Sequence, residues 1–572
     1  MAIKNHILQI IRQYHKIIFY LLWFVINLIQ AGKTGLFDDE AYYWMYSKFP
    51  AWGYFDHPPM IGLMIKAGYK LFANELGIRL FIVFISTASL YAIDSLLEQR
   101  NDRLFYAIAL SMGLLQIGGI IAVPDLPLLF FVALFFLAYK KFTTSPSILN
   151  TVLLGVIVAL MFYSKYHGIL IVFFTLLSNI KLFTRWQTYT VGLIALILFF
   201  PHLYWQYQHN YPSVQYHLFE RNAIDYRASF TIEYIIGQIL LAGPLIGWLL
   251  LWAAGKHKPA SLTEKALRWC FFGIYGLFLV STLKGQAEAN WTVPAFVSLI
   301  VLSHQYLTAN PKPAQWVYRL FISSFLLVLM VRVYMMIDIA PLPFIKKDEF
   351  HRTQEWANAI KNKAAGRPVV FINSYQRASQ YWFYTGDSSF SLNNIYYRRS
   401  NYNFWPLEAG LQGREVLALS PDNWEYFSDT VKNTRKLIGA AVVNPYFSFS
   451  QIAISGPKVI QAKEGKVEAS LDVMIPASTQ NASGFNRFDT AQILLTVYFR
   501  DDDPGLLIPS NATVRSVKDG KVRTNFSVPN SLKPGKYRAK WAINCAIPDW
   551  PSLNSSSYLL EVTSGIQVAS HQ

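Results

Sequence analysis

DDEAYYW at residues 38–44 and GYFDHPP at residues 53–59 are the stretch from which the fold can be read. These polar segments directly follow the first long apolar run, and further apolar runs continue to about residue 336. A carboxylate beside a membrane crossing is costly to desolvate, so its presence needs a reason. We expect that reason to be catalysis at a membrane face.

The composition separates the chain into an apolar part and a globular tail. Of its 572 residues, 53% are hydrophobic and 15% charged, whereas a soluble protein carries about 25% charged residues. The apolar excess lies in residues 17–336, and residues 345–572 have the composition of a soluble protein. The sequence therefore predicts a polytopic membrane domain over residues 1–340, with a first loop at 32–76.

The charge and the cysteines exclude several classes of protein. The net charge of +17 comes mainly from short gaps between apolar runs, a pattern typical of membrane orientation and not of nucleic-acid binding. Cys270 and Cys545 are the two cysteines, and we expect no disulfide and no zinc site of local spacing. Lys4, Arg12 and Lys16 precede the first apolar run without a small-residue cleavage site, which predicts an uncleaved first helix.

Loop charges predict the orientation in the membrane. If the N-terminus is cytoplasmic, most Lys and Arg residues of the short gaps fall on the cytoplasmic side, as the positive-inside rule requires. The first loop and the tail then lie on the opposite face. This topology uses eleven predicted spans, at about residues 17–31, 77–97, 104–121, 126–139, 148–163, 168–180, 188–206, 232–254, 269–283, 292–308 and 317–337.

The chemically versatile residues fall in the non-cytoplasmic gaps. Coming from distant parts of the sequence, they can converge on one surface cavity, whereas a transporter more often places such groups within its spans. In chain order they are Asp39, Glu40, Asp56, His57, Asp125, Lys165, His209, His217, Arg221, Glu288 and Asn290.

The tail divides into two predicted domains. Residues 341–440 combine a helix around 351–363, a strand at 369–372 and a second helix opened by Asn373. Residues 441–572 alternate as short strands between Gly, Pro and Asn turns, for example at 466–475, 491–500 and 536–543. That pattern predicts a β-sandwich.

The first-loop segments resemble bacterial members of the GT-C glycosyltransferases, relatives of the protein O-mannosyltransferases and of the lipid A aminoarabinose transferase. The resemblance continues through six further segments and covers residues 1 to about 405; the β-rich remainder lies outside it. These segments are PDLP (124–127), SKY (164–166), residues 205–217, EANW (288–291), NSYQ (373–376) and SLNN (391–394).

The resemblance implies a GT-C fold of about 11–13 transmembrane helices, followed by an extracytoplasmic α/β region and the sandwich-like module. It implies a multi-pass protein of the bacterial inner membrane with a periplasmic C-terminal domain. A polyprenyl-phosphate-sugar donor would pass its glycosyl group, with inversion, to an envelope lipid, glycan or protein, and no nucleic acid would bind. Asp39 matches the catalytic acidic position of the family, where a carboxylate takes the acceptor's proton. Glu40 beside it would orient the acceptor or bind a cation.

The resemblance also implies groups that bind the donor's phosphate as it leaves with its negative charge. His57 and Lys165 are the main candidates, with Tyr54 nearby. Related transferases have an acid followed by lysine where this chain has Asp56 and His57. The histidine would therefore contact phosphate or join Asp56 in a divalent-metal site, with His217 as a further ligand. The other expected substrate-binding residues are Asp125, Tyr166, Glu288, Asn290 and Tyr375.

Each of these residues also has a structural interpretation. Asp39 and Asp125 are typical of helix caps, Lys165 of an interfacial lysine, and the histidines of packing groups. Two other functions stay open at this point, namely a polyprenyl-lipid flippase without sugar transfer and an envelope scaffold that uses its β-rich tail.

Overall fold

The computed structural model describes the chain in two units. One comprises residues 1–213 and 224–351, and the other comprises residues 214–223 and 352–572. The residues that are described are 2–217, 226–338, 350–420, 426–427, 429–431, 438–462, 465–482, 484–500, 503–548 and 550–563. Arg221 and the predicted boundary at 340/341 lie outside them.

The first unit is helical. Up to the point where the chain leaves it, its helices are α1 (Ala2–Lys33), α2 (Asp38–Lys48), α3 (Met60–Leu71), α4 (Glu75–Leu96), α5 (Asp102–Ser111), α6 (Asp125–Thr144), α7 (Ile148–Ser164), α8 (Gly168–Ser178), α9 (Trp186–Gln208) and the short α10 (Pro212–Gln215). After the chain returns they are α11 (Ala228–Ala242), α12 (Gly247–Lys256), α13 (Leu262–Ser281), α14 (Phe296–Ala309) and α15 (Pro311–Met336). A π-helical turn covers Leu114–Gly118, and 3-10 turns cover Ile180–Thr184 and Ala289–Ala295.

The number of clear membrane spans differs from the eleven predicted. Among the described residues six helical stretches are long and apolar enough to cross a membrane, or seven if α11 and α12, bent by 91°, form one broken span. Two further apolar helices, α7 and α8, are shorter. The predicted span at 104–121 is also divided, since α5 ends at Ser111 and a π-helical turn follows. Hydropathy does not detect such breaks, because an interrupted helix remains equally apolar.

The first loop is largely helical. Its acidic segment begins α2, whose buried face includes Tyr42, Trp44 and Tyr46, and its Pro-Pro segment leads into α3. α2 and α3 therefore pack as part of the helical unit.

A buried arginine fixes the end of α1 that leads into this loop. Arg332 of α15 donates to the side-chain oxygens of Gln30 at 2.5 Å, Gln116 at 2.5 Å and Asn27 at 2.7 Å. Arg332 is 6% exposed, so its charge is balanced by amide dipoles within a closed network. The last turns of α1 thereby gain a fixed position against α15 and the π-helical turn.

The second unit begins with an α/β part. Its helices are α16 (Thr353–Ala364) and α17 (Tyr375–Thr385), and its strands are β1 (Val369–Ile372), β2 (Ser389–Leu392), β3 (Val416–Ser420), β4 (Asp429–Val431) and β5 (Ile438–Val443). The sheet order is β2-β1-β3-β5-β4, with β1 parallel to both neighbours and β5 antiparallel to both of its own. Asn373 and Asn393 follow the carboxyl ends of β1 and β2, the edge where ligands bind in parallel sheets.

Two antiparallel-rich sheets form the rest of this unit. The larger has the order β10-β9-β12-β14-β7, with β13 beside β12, and the smaller has the order β11-β8-β6. Their inward side chains share one core that includes Trp541 and Phe526, as in a sandwich. The strands are β6 (Ala453–Ser455), β7 (Val459–Ala462), β8 (Lys466–Met474), β9 (Gln492–Arg500), β10 (Asp503–Thr513), β11 (Lys521–Ser527), β12 (Gly535–Ile543), β13 (Ser552–Leu553) and β14 (Tyr558–Val562), with the one-turn helices α18 (Ala477–Gln480) and α19 (Phe485–Phe488).

A buried carboxylate joins the α/β part to the sandwich. Glu408 is fully buried and accepts from the Ser448 hydroxyl at 2.7 Å and from the backbone N–H groups of Ser450 at 2.8 Å and Gln451 at 3.2 Å. Burial raises the pKa of Glu408 above its ordinary value. The segment that enters the sandwich is therefore fastened to the α/β part, and the β-rich region is not a loosely tethered module.

Candidate functional site

The acidic start of α2 is held by a buried ion pair. Arg79 of α4 donates from Nε to Glu40 Oε1 at 2.7 Å and from Nη2 to Glu40 Oε2. The two side chains are 1% and 0% exposed. Arg79 also donates to the carbonyls of Ala31, Thr34 and Gly35 at 3.0, 2.6 and 2.8 Å. One guanidinium thus joins the end of α1, the start of α2 and the start of α4.

Glu40 accepts two further hydrogen bonds. Its Oε2 accepts from the Phe37 N–H at 3.0 Å. Glu40 is the third residue of α2, and its side chain thus reaches back to the backbone at the start of the helix. Its Oε1 accepts from the Ala122 N–H at 2.7 Å, three residues before Asp125. With four donors on one carboxylate, these contacts favour a positioning role for Glu40, while the predicted catalytic role remains a prediction.

Asp39 lies in the first turn of α2, next to this ion pair. It is partly exposed, whereas Asp38 and Glu40 on either side of it are buried. The Arg79–Glu40 pair fixes the backbone on which Asp39 stands. A partly exposed carboxylate on a fixed backbone can be reached by an acceptor hydroxyl, as a general base requires.

Three predicted site residues converge on a second cluster. Asp125 begins α6, Lys165 follows α7, and Asn290 lies in the 3-10 turn before α14. Lys165 Nζ donates to Asp125 Oδ1 at 2.7 Å, and Asn290 Nδ2 donates to Oδ2 at 3.1 Å. The ion-paired side chains are 5% and 9% exposed. Asp125 therefore orients Lys165, whose ammonium carries two more N–H groups.

Tyr166, next to Lys165, belongs to a third group of polar contacts. Its hydroxyl lies 3.0 Å from His202 Nε2 and accepts from Gln206 Nε2 at 3.1 Å. His202 Nδ1 lies 2.8 Å from the Trp52 carbonyl and donates to it, and the Tyr166 hydroxyl donates to Ser213 Oγ at 3.0 Å. Burial raises the pKa of Tyr166 well above its ordinary value, so the phenol stays protonated.

Ser213 connects this group to the first loop. Gln206 Nε2 donates to Ser213 Oγ at 2.8 Å, and Ser213 Oγ donates to the Phe55 carbonyl at 2.8 Å and lies 3.0 Å from the Tyr54 carbonyl. The GYFDHPP segment is thus fixed to α9 and to the residue that follows Lys165. Gly53 is required at this contact, because an added Cβ would come within 2.5 Å of the Trp205 ring.

The side chains of the GYFDHPP segment have different environments. Tyr54 is buried, and its hydroxyl lies 3.0 and 3.1 Å from the carbonyls of Tyr46 and Phe49. Burial raises its pKa well above the ordinary value. Asp56 Oδ2 accepts from the Tyr42 hydroxyl at 2.8 Å and is buried. His57 is partly exposed, with its ring edge-on to Tyr43, and is the most accessible of the three.

The remaining predicted residues do not share one cluster. Glu288 precedes the 3-10 turn of Asn290 and is exposed. Tyr375 and His217 both belong to the second unit. There the Arg398 guanidinium lies 4.9 Å from the ring centroids of both Tyr216 and Tyr375 and donates to the Tyr375 hydroxyl at 2.6 Å.

The residues predicted for a metal site belong to both units. Asp56 and His217 fall in different units, and the described part of the chain contains no group of three or more His, Cys, Asp or Glu side chains placed to hold a metal. A divalent cation thus stays a prediction from the resemblance, and no step of the chemistry below depends on one.

Several residues in these clusters were not predicted. Arg79 is the one basic residue in the apolar run at 77–97, and an isolated arginine in such a run is a signal for a buried ion pair. His202 and Gln206 lie in the apolar run of α9, where polar residues at a four-residue spacing share a helix face. Ser213 and Arg398 carried no comparable signal.

Part of this chain is similar in sequence to a protein family and to a characterised relative. Residues 56–205 match the family model of dolichyl-phosphate-mannose-protein mannosyltransferases. Over 302 residues the chain is 25% identical to the lipid A galacturonosyltransferase RgtD of Rhizobium johnstonii. That alignment covers 50% of this chain and 63% of the relative, so the chain spans somewhat less than two thirds of the relative's length.

Solved structures identify the fold. ArnT from Cupriavidus metallidurans bound to undecaprenyl phosphate superimposes with a TM-score of 0.52 at 13% identity, covering 75% of this chain and 98% of ArnT. The apo form of ArnT gives a TM-score of 0.54 at 12% identity with the same coverage. The predicted GT-C fold, with a polytopic helical region and a C-terminal region that contains strands, is confirmed.

Proposed function

We propose that this chain, which has the GT-C fold and resembles the ArnT and protein mannosyltransferase group of glycosyltransferases, transfers a sugar from a polyprenyl-phosphate donor to an envelope acceptor. The reaction takes place at the extracytoplasmic face of the bacterial inner membrane. RgtD is named for lipid A, which makes a lipid acceptor the first class to test, and the undecaprenyl phosphate bound to ArnT supports a polyprenyl-phosphate carrier.

One observation carries the proposal. Glu40, beside Asp39, accepts from the Ala122 N–H at 2.7 Å, and Asp125, three residues later, accepts from Lys165 at 2.7 Å. A short series of buried contacts thus fixes the segment of the proposed base relative to the segment of the proposed phosphate-binding cation. Transfer with inversion needs a base at the acceptor and stabilising groups at the departing phosphate on the opposite side of the sugar, so the two segments must be held in a fixed relation.

The residues then divide the chemistry as follows. Asp39 takes the proton of the acceptor hydroxyl, which attacks the anomeric carbon as the bond to the phosphate oxygen breaks. Lys165, oriented by Asp125 and Asn290, donates N–H groups to the departing phosphate, and His57 contributes from the first loop. Glu40 with Arg79, and Tyr166 with Ser213, position these groups without contacting the reacting atoms.

The experiment compares envelope lipids, glycans and glycoproteins by mass spectrometry in cells that carry the wild type, Asp39→Asn, Lys165→Met or the control Glu75→Gln. Glu75 is also a carboxylate at a helix start, at the far end of the first loop. We expect one glycosylated species to disappear in Asp39→Asn, since loss of a base lowers the rate about 10²–10⁴-fold. The same species should disappear in Lys165→Met, which removes the proposed phosphate-binding cation, and should persist in the control.

Full transfer by Asp39→Asn at normal membrane levels would exclude Asp39 as the base. A polyprenyl lipid that carries the same sugars in both strains, but lies in a different membrane leaflet when this protein is deleted, would favour a flippase instead. Retention of all function after removal of the helical unit would point to a scaffold.

A further inference from the structure

A cavity among α6, α7, α8 and α9 extends away from the third group of polar contacts, beginning at Phe199, whose ring lies 4.8 Å from that of His202. Its volume is about 410 Å³, and its lining is apolar apart from the hydroxyls of Tyr139, Thr175 and Thr188. Five phenyl or phenol rings contribute to the lining, from Phe135, Tyr139, Phe142, Phe162 and Phe199. An apolar cavity between membrane helices fits a hydrocarbon chain.

The length of the cavity matches one leaflet. Its lining extends along α9 from Thr188 to Phe199, eleven residues and therefore about 16 Å of helix. The hydrocarbon core of a bilayer is about 30 Å thick, so each leaflet contributes roughly half of that. A single acyl chain fits this length, whereas a long polyprenyl chain exceeds it.

Polar and cationic groups stand beside one end of the cavity, where Thr188 lines it and Arg185, which does not, precedes it by three residues. Within the described part of the chain, Nη1 of Arg185 and Oγ1 of Thr188 are buried and have no hydrogen-bond partner. Arg185 immediately precedes α9, whose N-terminus adds the partial positive charge of a 23-residue helix. Buried donors without partners are rare because each costs free energy, so they point to a ligand oxygen at this position.

Further basic side chains flank the same end. Lys141 and Lys181 are exposed and are the chain neighbours of the lining residues Phe142 and Leu182. The loop charges predict that these gaps face the cytoplasm. Anionic lipids of that leaflet attract such clusters with about 1 kcal/mol per basic residue, a factor of about five in affinity.

We propose that this cavity holds one acyl chain of an anionic phospholipid from the cytoplasmic leaflet, with the lipid phosphate at Arg185, Thr188 and the N-terminus of α9. The lipid would fill the space between four helices and satisfy the buried donors. It is a bound structural lipid and takes no part in sugar transfer, so the proposal does not depend on the proposed function.

The test is native mass spectrometry of the delipidated full-length protein with added phosphatidylglycerol, phosphatidylcholine or undecaprenyl phosphate. We expect the wild type to retain phosphatidylglycerol at least about fivefold more than phosphatidylcholine, and Arg185→Gln to lower this preference about fivefold. Gly192→Leu should retain neither lipid, because Gly192 lines the cavity and an added Cβ there meets no atom within 4 Å.

Two matched controls accompany these variants. Gly276→Leu adds the same side chain at a glycine of α13 that is equally open but does not line the cavity, and Lys265→Gln removes an exposed charge elsewhere. Both should bind lipid as the wild type does.

A thermal-shift measurement on the wild type needs no variant. Phosphatidylglycerol should raise Tm more than phosphatidylcholine at equal concentration, since a ligand of the native state stabilises it. Equal retention of the two phospholipids by the wild type, or unchanged retention in Gly192→Leu, would overturn the proposal. Preferential retention of undecaprenyl phosphate would assign the cavity to the polyprenyl lipid and would also overturn it.

Discussion

Neutralising Glu40 tests whether the buried ion pair with Arg79 organises the first loop. The variant Glu40→Gln keeps the shape of the side chain but leaves a guanidinium that is 1% exposed without its counter-charge. Removing one partner of a buried pair costs ~3–5 kcal/mol. The amide also presents N–H groups where the carboxylate accepted from Phe37 or Ala122, so the upper part of this range is expected.

The exposed pair between Lys140 and Glu98 provides the control. Its atoms are 3.4 Å apart and its side chains are 43% and 38% exposed, so Glu98→Gln should cost ~0–1 kcal/mol. The assay is the free energy of unfolding of the purified protein in one detergent for wild type, Glu40→Gln, Arg79→Met, the double variant and Glu98→Gln.

The double-mutant cycle decides the result. If Glu40 and Arg79 act as a pair, the double variant should be less destabilised than the sum of the single variants by ~2 kcal/mol or more. Additive effects, or a cost of Glu40→Gln equal to that of Glu98→Gln, would refute the positioning role. Transfer activity should fall with Glu40→Gln even at temperatures where the variant is folded, because Asp39 loses its fixed backbone.

Three other perturbations have defined outcomes. Asn290→Ala should lower kcat/KM about tenfold, because one hydrogen bond to a charged carboxylate corresponds to ~1.5 kcal/mol. The pKa of Glu408 is raised by burial, so its contribution to stability is complete below the ordinary value of 4.5 and is lost as the pH rises through the folded-state value. The unfolding free energy of the wild type relative to Glu408→Gln should therefore fall between pH 4 and pH 8, and a constant difference would contradict this. Burial raises the pKa of the Cys545 thiol to about 12, so the native protein should resist maleimide at pH 8 at this position while the unfolded chain reacts; rapid labelling of native Cys545 would contradict it.

Local pattern was sufficient for much of the architecture. The strand at 369–372 is confirmed as β1, the helix around 351–363 as α16, and the strand at 466–475 as β8. Alternation of side chains between two faces and helical periodicity are local properties, so they can be read from neighbouring residues. The division into three domains was also predicted, and it stays a prediction.

Local pattern was insufficient at the first loop. Its many polar residues favoured a loop, but Tyr42, Trp44 and Tyr46 are buried in α2 and the segment is largely helical. Their recorded partners lie outside α2 but within the first loop: Tyr42 donates to Asp56, and the rings of Trp44 and Tyr46 pack against those of Tyr69 and Tyr54. A helix stabilised by such contacts does not need apolar residues at helical spacing. The apolar and polar residues of α2 accordingly do not separate onto two faces.

The candidate site shows the same distinction. The sequence predicts which residues would carry the chemistry, since Asp39, Asp125, Lys165 and Asn290 all stand in gaps between apolar runs. Their pairing required the folded structure, because Lys165 and Asn290 lie 40 and 165 positions from the carboxylate that they share. Helix packing also gave Glu40 three of its four donors, two from an arginine 39 positions away and one from the Ala122 N–H, 82 positions away. A buried charge is stable only with its partner, and that partner is chosen by helix packing and not by spacing along the chain.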